Sequence, residues 1–322
     1  MIRNTVYNDD CIPFLKKMED GSVQLIVVDP PYKLEMPKTS GVDKLMKMKG
    51  MKRVNEEWDK FSLDGYIKWA EEWILESFRV LDKTGSMFIC GSYHNIGLIN
   101  YILQRNKLMI INDIVWFKRN AVPNLACRRL TASAEHILWV ARDKNYKFNY
   151  KDLKNGTFIG DNIKKEGKQM RNVWDIPTAG NEKVGDHPTQ KPVAIYERCI
   201  MTAINKDIEK PIILDFFAGT GTCGVAAKKL GYDFILVEKS EKYCEIIEKR
   251  IKPNGCEVES KPVKIIKPKT KEKQQNSKDL ITTGFMECPV KEANIEYPVK
   301  EAKVVHYATL KYSRRNPNIR NL

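Results

Sequence analysis

The chain has 322 residues, 42% of them hydrophobic, with 55 Lys plus Arg against 41 Asp plus Glu and a net charge of +14. It is long enough to bury a sizeable core in one large domain or two smaller ones, and its basic balance suits a polyanion such as nucleic acid as well as a merely soluble role. The eight cysteines are scattered without a CxxC pair or a His at ligand spacing, and no apolar run approaches the ~18 residues of a membrane span, which excludes a zinc site, a secreted disulfide framework and a spanning helix.

In chain order, the opening "MIRNTVYNDD" has no apolar run of the kind that starts a secretory leader, so reduced thiols and a cytoplasmic location are expected. Short apolar runs at 24–28, 86–90, 109–116, 137–141, 211–214 and 233–237 predict strands, with helical stretches between them. This is the rhythm of an α/β protein with a doubly wound, mostly parallel sheet. After the first strand, Tyr66, Ile67, Ala70, Ile74, Phe78 and Leu81 recur at helical spacing, with Ser62 as N-cap and Gly85 closing the end. Trp58, Trp69 and Trp73 beside them read as core. Residues 33–60, rich in Met and Lys, predict a mobile loop, and the polar stretch 143–186 predicts a binding insertion. Residues 253–280 read as a Lys/Pro/Gln linker, and 281–322 as a small basic appendage in which "CPVKEA" recurs as "YPVKEA". Residues 251–322 hold 15 Lys plus Arg against 8 Asp plus Glu, half of the whole charge excess.

Two motifs carry chemistry. In "LIVVDPPYKLEM" (25–36) a buried strand runs into Asp29, Pro30, Pro31 and Tyr32, and the prolines, which donate no backbone hydrogen bond, stiffen the corner. In "PIILDFFAGTGTCGVAAKKLGYDFILVEKSEKY" (211–243) a strand ends at Asp215, a turn follows with Gly219 and Gly221, a helix begins near Cys223, and the next strand ends in Glu238. Such glycines let a ligand approach the backbone, and such an acid is placed to accept from ribose hydroxyls. The loop lacks the G-K-[ST] of a phosphate loop, and Asp215 with its aromatic neighbours stands where a pyrophosphate needs bare backbone. An Asp suits a cationic amine. S-adenosylmethionine, with an α-amino group, ribose hydroxyls and no phosphate, matches.

"DPPY" at 29–32 with "DFFAGTGT" at 215–222 resembles the amino-methylating DNA methyltransferases, and the order of the motifs resembles their β group. "NDDCIPFLKKM" (8–18), "GSMFICGS" (85–92), "ASAEHILWVAR" (132–142) and "HPTQKPVAIYERCI" (187–200) stand where that family has its supporting pieces. "HNIGL", "NAVPNLACRRLT" and "GKQMRNVWDIP" are similar to adenine methylases of GATC-modifying restriction systems. Phe216 departs from the Pro that often follows the motif Asp.

The resemblance implies a methyltransferase domain over 1–252, with 143–186 as target-recognition insertion, that transfers a methyl group from S-adenosylmethionine to adenine N6 in a flipped-out nucleotide. Asp29 and the carbonyl of Pro30 would accept the two amine hydrogens, so that the nitrogen lone pair faces the methyl group, and Tyr32 would stack on the base. It also implies that Phe217, Gly219, Gly221 and Thr222 bind the cofactor, that Asp215 sits near its methionine end, that Glu238 holds the ribose, that Asp10 reaches the adenine ring, and that Thr189 and Lys191 lie beside the methionyl carboxylate. No metal is implied; His187 reads as a structural or cofactor-pocket residue, and His94 and His136 as ordinary sheet-edge residues. Lys118, Arg119, Arg128, Arg129 and Arg171 are the candidate contacts to DNA, whose phosphates attract such side chains. The expected partner is double-stranded DNA, with single-stranded DNA as an alternative and a separate restriction endonuclease as a companion; the chain acts as a monomer or homodimer. Competing readings are cytosine-N4 methylation, where the tetrapeptide usually starts with Ser, methylation of RNA or a protein glutamine, where it starts with Asn, and a non-catalytic DNA-binding modification subunit.

Overall fold

Leu25 and Val27 pack into one core, Ile26 and Val28 into another, and all four are fully buried. The same alternation separates Phe88 and Cys90 from Met87 and Ile89, and Phe234 and Leu236 from Ile235 and Val237. These runs therefore belong to strands covered on both faces, which is why they read as continuous apolar stretches.

The computed structural model describes residues 1–32, 62–124, 127–161, 164–165, 167–184 and 189–251. Two units divide the chain, Met1–Val263 and Lys264–Leu322, and every described residue lies in the first. Its strands are β1 (Thr5–Asn8), β2 (Val23–Val28), β3 (Leu81–Gly91), β4 (Met109–Phe117), β5 (Ala134–Ala141), β6 (Val173–Asp175), β7 (Ile212–Asp215) and β8 (Asp233–Glu238). The helices between them are α1 (Cys11–Lys16), α2 (Leu63–Val80), α3 (Ile96–Arg105), α4 (Tyr150–Asn155), α5 (Val193–Ala203), α6 (Thr222–Lys229) and α7 (Glu241–Ile251). The strands form one sheet in the order β1-β8-β7-β2-β3-β5-β4-β6. Only β5 runs against its neighbours β3 and β4; every other pairing is parallel. Helices α1, α2 and α3 cover one face, and α5 and α6 the other.

Helix α2 begins as its sequence dictates, with the Ser62 side chain accepting from the Gly65 amide at 3.1 Å. It ends earlier than expected. Leu81 is already extended (ψ 135°), so the chain passes directly into β3 and Gly85 lies within that strand rather than closing the helix. Sequence also passes over β1 and β6. The first has four residues at the sheet edge, and the second has three and sits inside the polar stretch 143–186. That stretch is therefore partly sheet: β6 pairs with β4, and Asp161 forms an ion pair with Arg198 of α5, which is 1% exposed. The expected loop 33–60, Trp58, His187 and the tail from 253 lie outside the described residues. No described helix is long and apolar enough to cross a membrane.

Candidate active site

β7 and β2 are neighbours in the sheet, and from them the chain winds outward in opposite directions. In a doubly wound sheet the crevice at the carboxyl ends of two such strands is where ligands bind. Here it is a cleft of about 560 Å³, walled by Asp29 and Pro30 beyond β2, by Phe217 and Gly219 beyond β7, by Glu238 closing β8 and by Asp10 beyond β1.

The glycine turn is held from several sides. Asp215 Oδ1 accepts from the Phe217 amide at 3.0 Å, and Glu238 Oε2 accepts from the Gly219 amide at 2.8 Å. Arg250 of α7 donates to the Thr220 carbonyl at 2.6 Å. Gly219 (φ 54°) and Gly221 (φ 79°) both occupy the left-handed region, and a Cβ on Gly221 would lie 3.0 Å from the Ile247 side chain. Gly221 and Asp215 do not line the cleft. Both, expected at the cofactor, stand next to lining residues and set the shape of the turn. Phe216, 2% exposed, packs into the core against Trp73 with ring centroids 5.7 Å apart.

Charge is distributed along the cleft. Burial pushes Asp215 well above the usual carboxylate range, and its Oδ2 finds no hydrogen-bond partner among the described residues. Burial also raises Glu238, against the opposing pull of the Ser240, Gly219 and Lys239 backbone amides that its carboxylate accepts, and acceptor capacity remains for a ligand. Burial would raise Asp10 too, but its 2.9 Å ion pair with Lys239 outweighs it and holds the carboxyl below its usual range. Thr189, Lys191, Phe217 and Thr222, expected at the cofactor, line the cleft.

Lys191 does so differently from expectation. Its ammonium, 5% exposed, donates to Asp29 Oδ2 at 2.6 Å and to the Tyr32 hydroxyl at 2.6 Å. Tyr32 in turn donates to Asp29 Oδ1 at 2.5 Å. Tyr32, expected to stack on a base, lines the same cleft and is 7% exposed, and the Lys191–Asp29 pair offers its hydroxyl both a donor and an acceptor. Burial drives Asp29 above the usual carboxylate range against the opposing pull of Lys191, while Asp29 and Glu135 overcome burial to keep Lys191 protonated.

Several contributors had no distinctive signal. Tyr66 of α2 donates to the Pro31 carbonyl at 3.1 Å and accepts from Asn95 at 3.1 Å, and both are fully buried, so this chain fixes the proline corner from beneath. Tyr66→Phe is expected to lower turnover by about 3- to 10-fold, as loss of one such bond implies, with fold stability measured in parallel by thermal melting. Trp69, read as core, lines the cleft next to Phe217 at 5.6 Å, whereas Trp73 is core as expected. Glu135 of β5 carries Lys191 at 3.4 Å and Lys118 at 2.8 Å.

Lys118, expected on phosphate, is therefore drawn inward to Glu135 and lies over the Trp116 ring at 5.6 Å. Arg119 is paired with Asp175 at 2.9 Å, and Arg129 donates to the Tyr93 hydroxyl at 2.5 Å. Arg128 and Arg171 are exposed. His136 pairs with Asp113 at 3.0 Å, and His94 lies against Tyr93. No group of metal-ligating side chains occurs among the described residues.

Comparison with known proteins places this geometry. The family model for DNA methylases matches residues 23–249. The chain is 37% identical over 298 residues to the Type II methyltransferase M.HinfI of Haemophilus influenzae, covering 87% of this chain and 78% of that protein. It is 34% identical over 251 residues to the Type II methyltransferase M2.MboI of Moraxella bovis, covering 76% of this chain and 86% of that protein. A crystal structure of an M1.HpyAVI–SAM complex aligns over 77% of this chain and 98% of its own, with 26% identity and a TM-score of 0.52. The PvuII DNA methyltransferase (cytosine-N4-specific) shares the fold, with 15% identity and a TM-score of 0.58 over 78% of this chain and 87% of its own. With a family match through both motifs and two relatives above 30% identity, this chain belongs to the DNA methylase family.

Proposed function

We propose that the chain transfers a methyl group from S-adenosylmethionine to the N6 amino group of adenine in double-stranded DNA, as the modifying member of a restriction-modification system. The observation that carries this reading is that Asp29 and Pro30 wall the same cleft as Phe217, Gly219 and Glu238, so an acceptor pair for an amine and a nucleoside pocket share one space. The residues fit the cofactor. Asp215 Oδ2 is a buried carboxyl oxygen without a hydrogen-bond partner among the described residues, able to accept from an amine, and Glu238 keeps acceptor capacity for a ribose hydroxyl. Trp69 and Phe217 supply aromatic surface, and Asp10 lines the same cleft.

Bound S-adenosylmethionine supplies an electrophilic methyl group on a sulfonium. An exocyclic amine is a poor nucleophile because its lone pair is delocalised into the ring. Asp29 accepting one N–H, and the Pro30 carbonyl accepting the other, draws the nitrogen towards tetrahedral geometry and aims the freed lone pair along the cleft. The backbone of the corner is held in advance, because Tyr66 donates to the Pro31 carbonyl. A base buried in a duplex cannot reach Asp29, so the nucleotide is extruded at a cost of a few kcal/mol of unstacking. When the base arrives, Tyr32 leaves Asp29 Oδ1 and turns outward to cover it. Arg128 and Arg171 hold phosphates, and the 143–186 segment contributes to target recognition. The chain acts as a monomer or homodimer, apart from a cognate nuclease.

Digestion of DNA treated with labelled cofactor should yield N6-methyladenine; N4-methylcytosine instead would overturn the reading. Because Lys191 lowers the affinity of Asp29 for a proton, Lys191→Met is expected to move the acid limb of turnover to higher pH by about 1–3 units. The sign is fixed by the charge: without the ammonium, the buried carboxylate takes up its proton earlier as pH falls. A pH profile of the single-turnover rate checks it.

A further inference from the structure

Four side chains of alternating charge form an inward line: Lys118, Glu135, Lys191 and Asp29, with successive separations of 2.8, 3.4 and 2.6 Å. All four side chains are largely buried, with exposures between 5% and 17%. Only Asp29 belongs to the catalytic tetrapeptide. Glu135 comes from β5, the one strand that runs against its neighbours, and its carboxylate also lies 3.4 Å from the Tyr32 hydroxyl.

The arrangement poses a problem that Glu135 solves. In the present geometry Asp29 is engaged by two donors, Lys191 on Oδ2 and Tyr32 on Oδ1. An amine that seeks Asp29 as acceptor competes with both. An ammonium buried this deeply cannot simply be released, because an unpaired buried charge is far more costly than a paired one. Another carboxylate must therefore stand within reach of Lys191, and its own charge must be compensated so that it does not demand Lys191 permanently. Glu135 meets the first condition at 3.4 Å, and Lys118 supplies the second at 2.8 Å.

We propose that Glu135 is a positioning residue for methyl transfer: it receives Lys191 when the target amine claims Asp29, and Lys118 balances it while Lys191 is elsewhere. The inference rests on the adenine-methylating reading of the same cleft. Glu135 touches neither base nor cofactor; it acts through Lys191. It stabilises the substrate-bound arrangement more than the free one, so its removal slows the chemical step rather than cofactor binding.

The test measures single-turnover rates with labelled S-adenosylmethionine and a DNA substrate, alongside cofactor affinity, for Glu135→Gln, Glu135→Asp, Lys191→Gln and the Glu135→Gln/Lys191→Gln pair. Glu135→Gln is expected to lower the rate at least about tenfold with cofactor affinity held, and Glu135→Asp to recover part of it. In the Lys191→Gln background the Glu135 change should have little further effect, since residues acting through one another are non-additive. A purely structural Glu135 would not show that loss of effect. Should Glu135→Gln not fold, Lys118→Met/Glu135→Gln removes both members of their ion pair, leaves no unpaired charge between them, and should show the same slow rate. A Glu135→Gln rate within about twofold of the unchanged chain, or an undiminished loss in the Lys191→Gln background, overturns the proposal. Failure of the adenine reading is visible separately, as absence of N6-methyladenine from the product of the unchanged chain.

Discussion

Asp29→Ala is expected to slow methyl transfer by about 10²–10³-fold, the scale of losing one preorganised group that acts on the reacting centre, while cofactor binding persists. The separation of effects follows from geometry. Asp29 stands at the end of β2, whereas the glycine turn is shaped by Asp215, Glu238 and Arg250, none of which is bonded to Asp29 in the structure. Removing the carboxylate leaves Lys191 with Glu135 and the Tyr32 hydroxyl, so the ammonium keeps partners and the fold should survive. Asp29→Asn retains an acceptor oxygen but not the charge and is expected to fall between. Rapid-quench transfer of labelled methyl, paired with calorimetric titration of the cofactor, reads both quantities. An Asp29→Ala rate within tenfold of the unchanged chain would remove Asp29 from the mechanism.

The second large effect is on stability. Trp73 is fully buried and meets Phe217 edge-on at 5.5 Å as well as Phe216 at 5.7 Å. Trp73→Ala should cost about 3–5 kcal/mol in urea unfolding, by loss of buried area and by the cavity left behind. Because Phe217 lines the cleft, the same cavity loosens one wall of it, and cofactor affinity should fall together with stability. Trp73→Phe should cost much less. The indole N–H has no hydrogen-bond partner among the described residues, so replacing the ring by one without a donor removes a buried polar group worth about 1–3 kcal/mol of penalty. Equal losses in the two variants would contradict this account.

The cleft was legible because its two walls are written in short continuous segments. Residues 25–32 and 211–238 each place an apolar strand, a tight corner and an acid in fixed succession, and that is information a single sequence holds. What surrounds them is not local. Tyr66 and Asn95 look like ordinary helix and loop residues, and their bonds to each other and to the Pro31 carbonyl exist only once α2 is laid against the sheet. Glu135 stands beside His136 at the start of a strand that is apolar from Ile137 onward, a placement that cannot name its partner. Lys118 and Arg119 illustrate the opposite error. A run of basic residues suggested phosphate contacts, but Lys118 is drawn in beside Glu135 and the exposed Arg119 is paired with Asp175, so both side chains already meet acids of the same chain. Boundaries failed where elements abut without a linker, as at Val80 and Leu81, or are as short as β1 and β6. The similarity to M.HinfI, at 87% of this chain, extends beyond residues 1–252 and therefore into the basic tail.

The placement of β2 beside β7 has a consequence for synthesis. Gln24 and Ile212 are hydrogen-bonded across 188 residues of sequence, so the first-made central strand waits for its neighbour while the ribosome adds everything between. At about 5–20 residues per second, that interval is roughly 10–40 s. Until it closes, the nascent polypeptide has only one flank of its reaction centre and keeps an unpaired apolar edge, so a message broken before codon 215 would release a product that clumps rather than a weakened enzyme.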